Sequence, residues 1–361
     1  MVFASTSLGS PPTEKLTLED YGWSAHFQAQ LRAGEFEGAL PVRVLTVHRD
    51  ALEVAGPGYE GRLPLLEFDQ DREAAATTGD WLLIDAQTHR PLKRLERRSL
   101  FKRKSAGTAH RIQLIAANVD TLFLVTSANE DFNPARLERF LALALEAAVT
   151  PVVIITKADL AQDAASYAAR ARDLIPDLVV EVFDARDPNV AARLKPWFGR
   201  GQTVALLGSS GVGKSTLINT LAGRDLQETQ TVRVGDRKGR HTTTGRSLHR
   251  LANGAWLMDT PGMRELQLVD ATQGVDEVFD DVAALAASCR FADCKHGAEP
   301  GCAVQGALAT GELDAARFKR YQKLLREERG NSNSLGVSRA RRSGKTAKAT
   351  FEKKLKQRDE R

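Results

Sequence analysis

Between residues 208 and 215 the chain reads Gly208-Ser209-Ser210-Gly211-Val212-Gly213-Lys214-Ser215, a match to G-x4-G-K-S. Glycines at this spacing let backbone N–H groups turn inward around phosphate oxygens, at the start of a helix whose dipole favours an anion. Lys214 can reach the outer phosphates of a nucleoside triphosphate, and the Ser215 hydroxyl can ligate Mg2+. Thr216 completes the nucleotide-binding run. The strand-like TVALL stands before the loop and the helix-like TLINTLAG after it, which is the context the motif requires.

Three further stretches specify which nucleotide and which reaction. Asp259-Thr260-Pro261-Gly262 fits D-x-x-G and comes 44 residues after Ser215. There a carboxylate can hold Mg2+ through water, and the glycine N–H can meet the γ-phosphate. Thr156-Lys157-Ala158-Asp159 ends the apolar run PVVII and fits [N/T]-K-x-D. Asp159 can accept from guanine N1 and N2, Lys157 can lay its stem over the base, and Thr156 offers a hydroxyl where an amide is commoner. Asp184-Ala185, after LVVEVF, stands where a Ser-Ala pair would meet the guanine carbonyl through a backbone N–H; Asp replaces the Ser. In Gly239-Arg240-His241-Thr242-Thr243-Thr244 a switch loop is expected. Thr243 is a candidate Mg2+ ligand, and His241 a candidate for orienting or deprotonating the attacking water. A solvated histidine or an RNA contact is the alternative for His241. Met263 occupies the place of the water-orienting Gln found in many GTPases, so slow intrinsic hydrolysis is expected.

All three cysteines fall in one cluster, Cys289-x4-Cys294-x-His296-x5-Cys302. Three thiolates and an imidazole make a closed tetrahedral zinc site, structural because no position is left for a substrate water. Buried free thiols or a redox site are the alternatives.

The elements that must carry these loops follow from composition and pattern. A chain of 361 residues with 42% hydrophobic and 27% charged residues implies two or three domains with real cores. No apolar run reaches the ~18 residues of a membrane span, and no secretory signal opens the chain. So few cysteines exclude a disulfide scaffold and suit a reducing cytoplasm. The net charge is +5, but the last 31 residues hold ten Lys/Arg against three Asp/Glu. The tail therefore supplies +7 and residues 1–330 are left at −2. A second basic patch, Lys93 to Lys104, carries Lys93, Arg94, Arg97, Arg98, Lys102, Arg103 and Lys104 against Glu96 alone. Such patches suit a polyanion or are plain solvated surface.

Residues 1–35 read as a loose leader with a short helix. From 36 to 108, about five short β-rich runs fit a small closed barrel, of oligonucleotide-binding (OB) type ahead of an SH3-like one. From 109 to 275 strand and helix alternate, with strands at 119–127, 151–155, 178–183, 203–207 and 254–258 and helices near 134–148 and 162–174. That alternation implies a parallel sheet covered on both faces. Residues 276–330 hold a helical stretch (275–287), the Cys/His cluster and a charged amphipathic helix (312–328). GNSNSLG (330–336) reads as a flexible break before a basic tail, 331–361.

The motif order is unusual: the base-reading TKAD precedes the phosphate loop, which precedes DTPG. A circularly permuted G domain explains it, because a fold depends on neighbours in space and tolerates relocated termini. The switch segment then leads straight into the Cys/His module, a route for a nucleotide-driven change. On RRSLFKRK (97–104), IAANVDTLFLVTSANEDFNPARLERFL (115–141), TKADL, GSSGVGKST, GRHTTT, DTPG and the Cys/His spacing, the chain resembles the circularly permuted GTPases of the RsgA (YjeQ) family. The match covers about residues 40–328. The resemblance implies an N-terminal OB domain, a central permuted P-loop GTPase domain and a C-terminal zinc domain. It also implies a bacterial assembly factor of the small (30S) ribosomal subunit whose GTPase the subunit stimulates. On this reading the partners are GTP or GDP and 16S rRNA, the cofactors Mg2+ and one zinc ion, and the protein a cytoplasmic monomer. An RNA-binding scaffold using GTP as a structural ligand is the alternative that Met263 keeps open. A P-loop ATPase or kinase is a third, which TKAD disfavours.

Overall fold

The computed structural model describes residues 15–31, 37–65, 75–104, 112–223, 247–259 (of Asp259 the backbone alone) and 267–333. Residues 15–31, expected as part of a loose leader, are instead built into the molecule. A 3-10 turn (Glu19–Tyr21) and the short helix α1 (Ala25–Gln28) bury Tyr21 and Phe27, with Trp23 beside them. Trp23 meets Trp81 edge-on at 4.8 Å, and Tyr21 stacks on Trp256 at 5.5 Å. Asp20 pins the segment by accepting from Arg200 Nη2 at 2.8 Å, while its carbonyl accepts from the Trp256 indole at 2.7 Å.

Five strands follow, as the spacing predicts: β1 (Ala39–Val47), β2 (Ala51–Gly56), β3 (Tyr59–Pro64), β4 (Trp81–Asp85) and β5 (Pro91–Arg94). They pair antiparallel in the order β3-β2-β1-β4-β5. Val42, Val44, Leu52, Val54, Leu82 and Ile84 form a small core of their own on one face, as period-2 alternation requires. Among the described residues no pairing joins β3 to β5. A two-stranded ribbon follows, β6 (Leu100–Lys104) with β7 (Ile112–Ala117).

The central sheet contains β8 (Thr121–Ser127), β9 (Thr150–Thr156), β10 (Val179–Val182), β11 (Thr203–Leu207), β12 (Ser247–Arg250) and β13 (Trp256–Asp259). Their order is β10-β9-β8-β11-β13-β12, parallel throughout except for β12. One register point, Thr46 opposite Ser247, joins this sheet to the N-terminal one. Along β8 and β9 alternate residues enter different cores. Leu122, Leu124, Val153 and Ile155 pack on one face, and Phe123, Val125, Val152 and Ile154 on the other. This two-sided burial is why both strands read as unbroken apolar runs. Helices α2 (Pro134–Glu146), α3 (Ala164–Arg172), α4 (Val190–Arg193) and α5 (Lys214–Ala222) complete the layer arrangement. The start of α2 is set by Pro134 in its first turn and by the Asn133 side chain, which accepts from the Arg136 N–H.

Beyond the sheet, α6 (Thr272–Val278) and α7 (Asp280–Ala287) replace the single helical stretch expected over 275–287. The fully buried Phe279, at φ −116° and ψ 46°, makes the break between them. Helix α8 (Ala303–Thr310) follows the Cys/His cluster, and α9 runs over 315–333. The break expected from residue 330 is therefore a correction as far as 333, since α9 continues through Gly330; residues 334–361 lie outside the described residues. Helix α2 is the platform for this module. Its fully buried Glu138 accepts from Arg320 Nε at 2.9 and 2.7 Å, and Arg139 pairs with Glu327 at 2.6 Å. A Cβ on Gly274 of α6 would lie 2.2 Å from the Ala142 carbonyl oxygen, so only glycine permits this approach. No described helix is long and apolar enough to cross a membrane.

Candidate functional site

The parallel strands β8, β9, β10, β11 and β13 bring their carboxyl ends to one edge of the sheet, where ligands bind in open α/β folds. The loop after β11 is the G-x4-G-K-S segment. Gly208 has no room for a side chain, since a Cβ would sit 2.1 Å from the Val125 carbonyl oxygen. Gly211 and Gly213 adopt φ of +80° and +94°, which side chains resist. Gly213 caps α5, and its carbonyl accepts from the Leu217 N–H at 2.9 Å. Lys214, nearly buried, donates through Nζ to the Gly208 carbonyl at 2.8 Å and to that of Ser209. Ser210, Val212, Ser215 and Thr216 lie on the same turn and the first turn of α5, as predicted.

The loop after β9 approaches from beneath. Thr156 is fully buried, and its hydroxyl sits 2.5 Å from the Val212 carbonyl oxygen and 3.1 Å from that of Thr126. It carries a single proton, which serves the shorter contact. The hydroxyl expected to substitute for an amide thus braces the phosphate loop and does not face the base pocket. Lys157 takes a left-handed conformation (φ 57°) that turns the chain into a short 3-10 helix, Ala158–Leu160, carrying Asp159. In the neighbouring loop after β10, the Asp184 side chain accepts from the Arg186 N–H at 2.9 Å. Ala185 is buried, and its carbonyl accepts from Thr220 of α5 at 2.7 Å. The TKAD, Asp184-Ala185 and phosphate loops are therefore neighbours, although 25 positions separate the first two aspartates and another 24 lie before Gly208.

β13 ends at Asp259 beside β11, with Ala205 opposite Met258, so the backbone of Asp259 lies on the same edge. Gly262, Met263, His241 and Thr243 lie outside the described residues.

The Cys/His cluster is closed. The reactive atoms of Cys289, Cys294, His296 and Cys302 all lie within 4.8 Å of one another. A tetrahedral site with metal–sulfur bonds near 2.3 Å and a metal–nitrogen bond near 2.0 Å requires S···S of roughly 3.8 Å and S···N of roughly 3.5 Å. The Sγ atoms of Cys289 and Cys302 are 3.8 Å apart, and His296 Nδ1 lies 3.5 and 3.6 Å from them. These three atoms stand at tetrahedral spacing, and the Cys294 thiol lies within 4.8 Å of each, so the four residues could hold a metal ion. Supporting bonds come from the Gln305 amide, which donates to the His296 carbonyl at 2.6 Å, and from Gly301, whose φ of +77° turns the chain back.

The basic patch of 93–104 is partly paired within the fold. Arg97 forms a bidentate pair with the buried Asp80, Arg98 pairs with Asp120, and Lys102 with Asp270 at 3.1 Å. Lys93, Arg94 and Arg103 bond to the Gln30 carbonyl, the Ala75 carbonyl and the Gln113 amide. Three of the seven positive charges are thus paired with carboxylates, while the bonds of Lys93, Arg94 and Arg103 go to neutral acceptors and leave their charge in place.

Two residues at the site escaped the sequence reading. Arg136, on the first turn of α2, donates to the Ser209 hydroxyl of the phosphate loop. Arg186 donates to both Asp159 and Asp184. The second had a local signal, since it stands two positions after an aspartate in an unusual place; the first had none.

Comparison with known proteins places the chain. A family model described as RsgA GTPase matches residues 94–269. A small ribosomal subunit biogenesis GTPase RsgA of Mesorhizobium japonicum is 49% identical over 88% of this chain and 91% of its own length. A second such protein, RsgA 2 of Vibrio vulnificus, is 46% identical over 91% of this chain and 93% of its own. Among solved structures, YjeQ from Thermotoga maritima superposes with a TM-score of 0.58 at 24% identity, over 80% of this chain and 98% of that one. YloQ, a circularly permuted GTPase, does so with 0.57 at 21% identity, over 84% and 99%. These two likenesses carry the fold, and the strand order β9-β8-β11 shows the permutation directly.

Proposed function

Because this chain belongs to the RsgA family of small ribosomal subunit biogenesis GTPases, we propose that it hydrolyses GTP while assisting assembly of the 30S subunit and leaves the subunit after hydrolysis. The observation that carries this reading is the convergence of the phosphate loop, the TKAD loop, Asp184-Ala185 and the end of β13 on one sheet edge. In the mechanism, Gly208 to Gly213 wrap the phosphates at the start of α5, where the helix dipole stabilises them. Lys214 leaves the carbonyls it rests on and pairs with the outer phosphates. Ser215, Thr243 and Asp259 would hold Mg2+, which neutralises charge developing on the phosphates. Asp159 reads guanine N1 and N2, Lys157 packs along the base, and the Ala185 N–H meets the guanine carbonyl. His241 orients the attacking water in place of the Gln that Met263 replaces.

Cys289, Cys294, His296 and Cys302 would hold one structural zinc, which orders a segment too short to fold alone. The domain division that accompanies this reading is a leader (1–35), an OB-type barrel (36–108), the permuted G domain (109–275), the zinc domain (276–330) and a basic tail (331–361). The barrel, the 93–104 basic patch, the zinc domain and the tail would meet 16S rRNA mainly through its phosphates. The protein would act as a cytoplasmic monomer.

The test is steady-state GTP turnover against added 30S subunits, with Lys214→Ala as control. Turnover should rise with subunit concentration, and the variant should neither bind nor hydrolyse GTP. A flat rate with intact GTP binding would turn the reading to a scaffold with GTP as structural ligand. Equal competition by ATP would turn it to an ATPase.

A further inference from the structure

The two base-reading loops share an ion cluster that phosphate chemistry does not use. Asp184 Oδ1 accepts from the Arg186 N–H at 2.9 Å and from its Nε at 3.0 Å, and Oδ2 accepts from Nη2 at 2.8 Å. The same Nη2 donates at 2.7 Å to Oδ2 of Asp159. One guanidinium nitrogen thus bridges the carboxylates heading two different loops, one after β9 and one after β10. The Arg186 side chain is 68% exposed, and those of Asp159 and Asp184 are 31% and 30% exposed. Ion pairs this wet contribute at most about 1 kcal/mol to folding, so stability does not account for the arrangement.

The geometry accounts for it another way. Reading guanine requires both Asp159 oxygens in the plane of N1–H and N2–H, and an untethered carboxylate must lose rotamer freedom to meet them. Among the described residues, Arg186 is the one donor to the Asp159 carboxylate, and Oδ1 stays open. A carboxylate oxygen has two acceptor sites, so a guanidinium on one side of Oδ2 leaves the other for the base. Asp184 fixes Arg186 in turn. Its own loop is closed by the Asp187 N–H, which donates to the Asp184 carbonyl at 3.0 Å. The Asp that replaces the expected Ser at 184 gains a role it lacked in the sequence.

We propose that Arg186, held by Asp184, is a positioning residue that fixes the Asp159 carboxylate for guanine and so sharpens base selectivity. This rests on the reading of Asp159 as the guanine acceptor. Arg186 hydrogen bonds hold the Asp184 carboxyl below the usual carboxylate range, so the bridge persists through neutral pH.

The experiment uses the full chain, with GDP, IDP (which lacks the N2 amino group) and XDP binding measured by calorimetry. Pre-ordering one side chain corresponds to roughly 3–10-fold in affinity. Arg186→Ala should weaken GDP by that factor and IDP by less, narrowing the GDP:IDP ratio, with Arg186→Lys intermediate. Asp184→Ser should reproduce the loss, and the double variant should add nothing to it. Unchanged or tighter GDP binding in Arg186→Ala, as for a plug that guanine must displace, overturns the proposal. Asp159→Asn tests the premise separately, and should shift preference toward XDP. If that shift occurs while Arg186→Ala is silent, the inference falls and the base-reading assignment stands. If it does not occur, the assignment itself falls.

Discussion

The nucleotide cradle and the Cys/His clip are both small constellations of polar atoms, yet they are held together in opposite ways. The clip draws four donors from 14 consecutive positions, and its four metal-seeking atoms lie within 4.8 Å of one another at the border of the main apolar core. The cradle draws on loops spread from residue 156 to residue 259, each fastened to the end of a buried strand. Its braces are ordinary hydrogen bonds that exist without ligand: Thr156 to the Val212 carbonyl, Thr220 to the Ala185 carbonyl, Lys214 to the Gly208 carbonyl. A site on a sheet edge inherits its rigidity from the sheet, whereas a metal clip is ordered by its ion. Between them stands α2, with Arg136 on the phosphate loop and Glu138 against α9.

Loss of the ion that the Cys/His donors would hold should separate the two regions most sharply. Cys302→Ser should lose the ion, whose binding to such sites is worth about 10 kcal/mol or more. The segment from α7 to α9 should become open to limited proteolysis, while GDP affinity stays within about threefold. A collapse of GDP binding in the same preparation would show that the cradle depends on the clip. A smaller but still large effect is expected at the junction. Glu138→Ala leaves Arg320 without its carboxylate, and losing one partner of a buried pair costs about 3–5 kcal/mol. The low end applies, because the Arg320 side chain is 28% exposed. Urea unfolding should report it, with Glu138→Gln milder; equal stability would remove α2 as the link. Smallest is Thr156→Val, which strips the hydroxyl from a buried brace and should cost about 1–2 kcal/mol and a few-fold in GDP affinity. Thr156→Ser should restore both, and a neutral valine variant would mean that the strands alone hold the loop.

Much of this was legible in advance where burial is two-sided or chemistry is local. The β8 and β9 strands read directly because every residue of TLFLVTS and the last five of TPVVIIT are buried. The clip read directly because its ligands are close in sequence. Residues 15–31 did not, because Tyr21, Trp23 and Phe27 follow no helical or strand period. Their partners, Trp81 and Trp256, lie 58 and 235 positions from Trp23 and Tyr21. The pairing within the 93–104 patch was not legible either, since the acids that meet Arg97, Arg98 and Lys102, namely Asp80, Asp120 and Asp270, come from three separate stretches. The buried Phe279 that divides α6 from α7 carries no breaker residue to announce it.

By itself the sequence determined which residue types stand in each loop, the candidate metal donors and the permuted order of the motifs. These depend on residue types at short covalent spacing, which a linear chain records. Only the tertiary structure decided that β11 lies between β8 and β13, that Thr156 sits beneath the phosphate loop, and that Arg186 spans Asp184 and Asp159. Those are neighbours through space, chosen by how strands order and pack against two cores, and no local spacing encodes them.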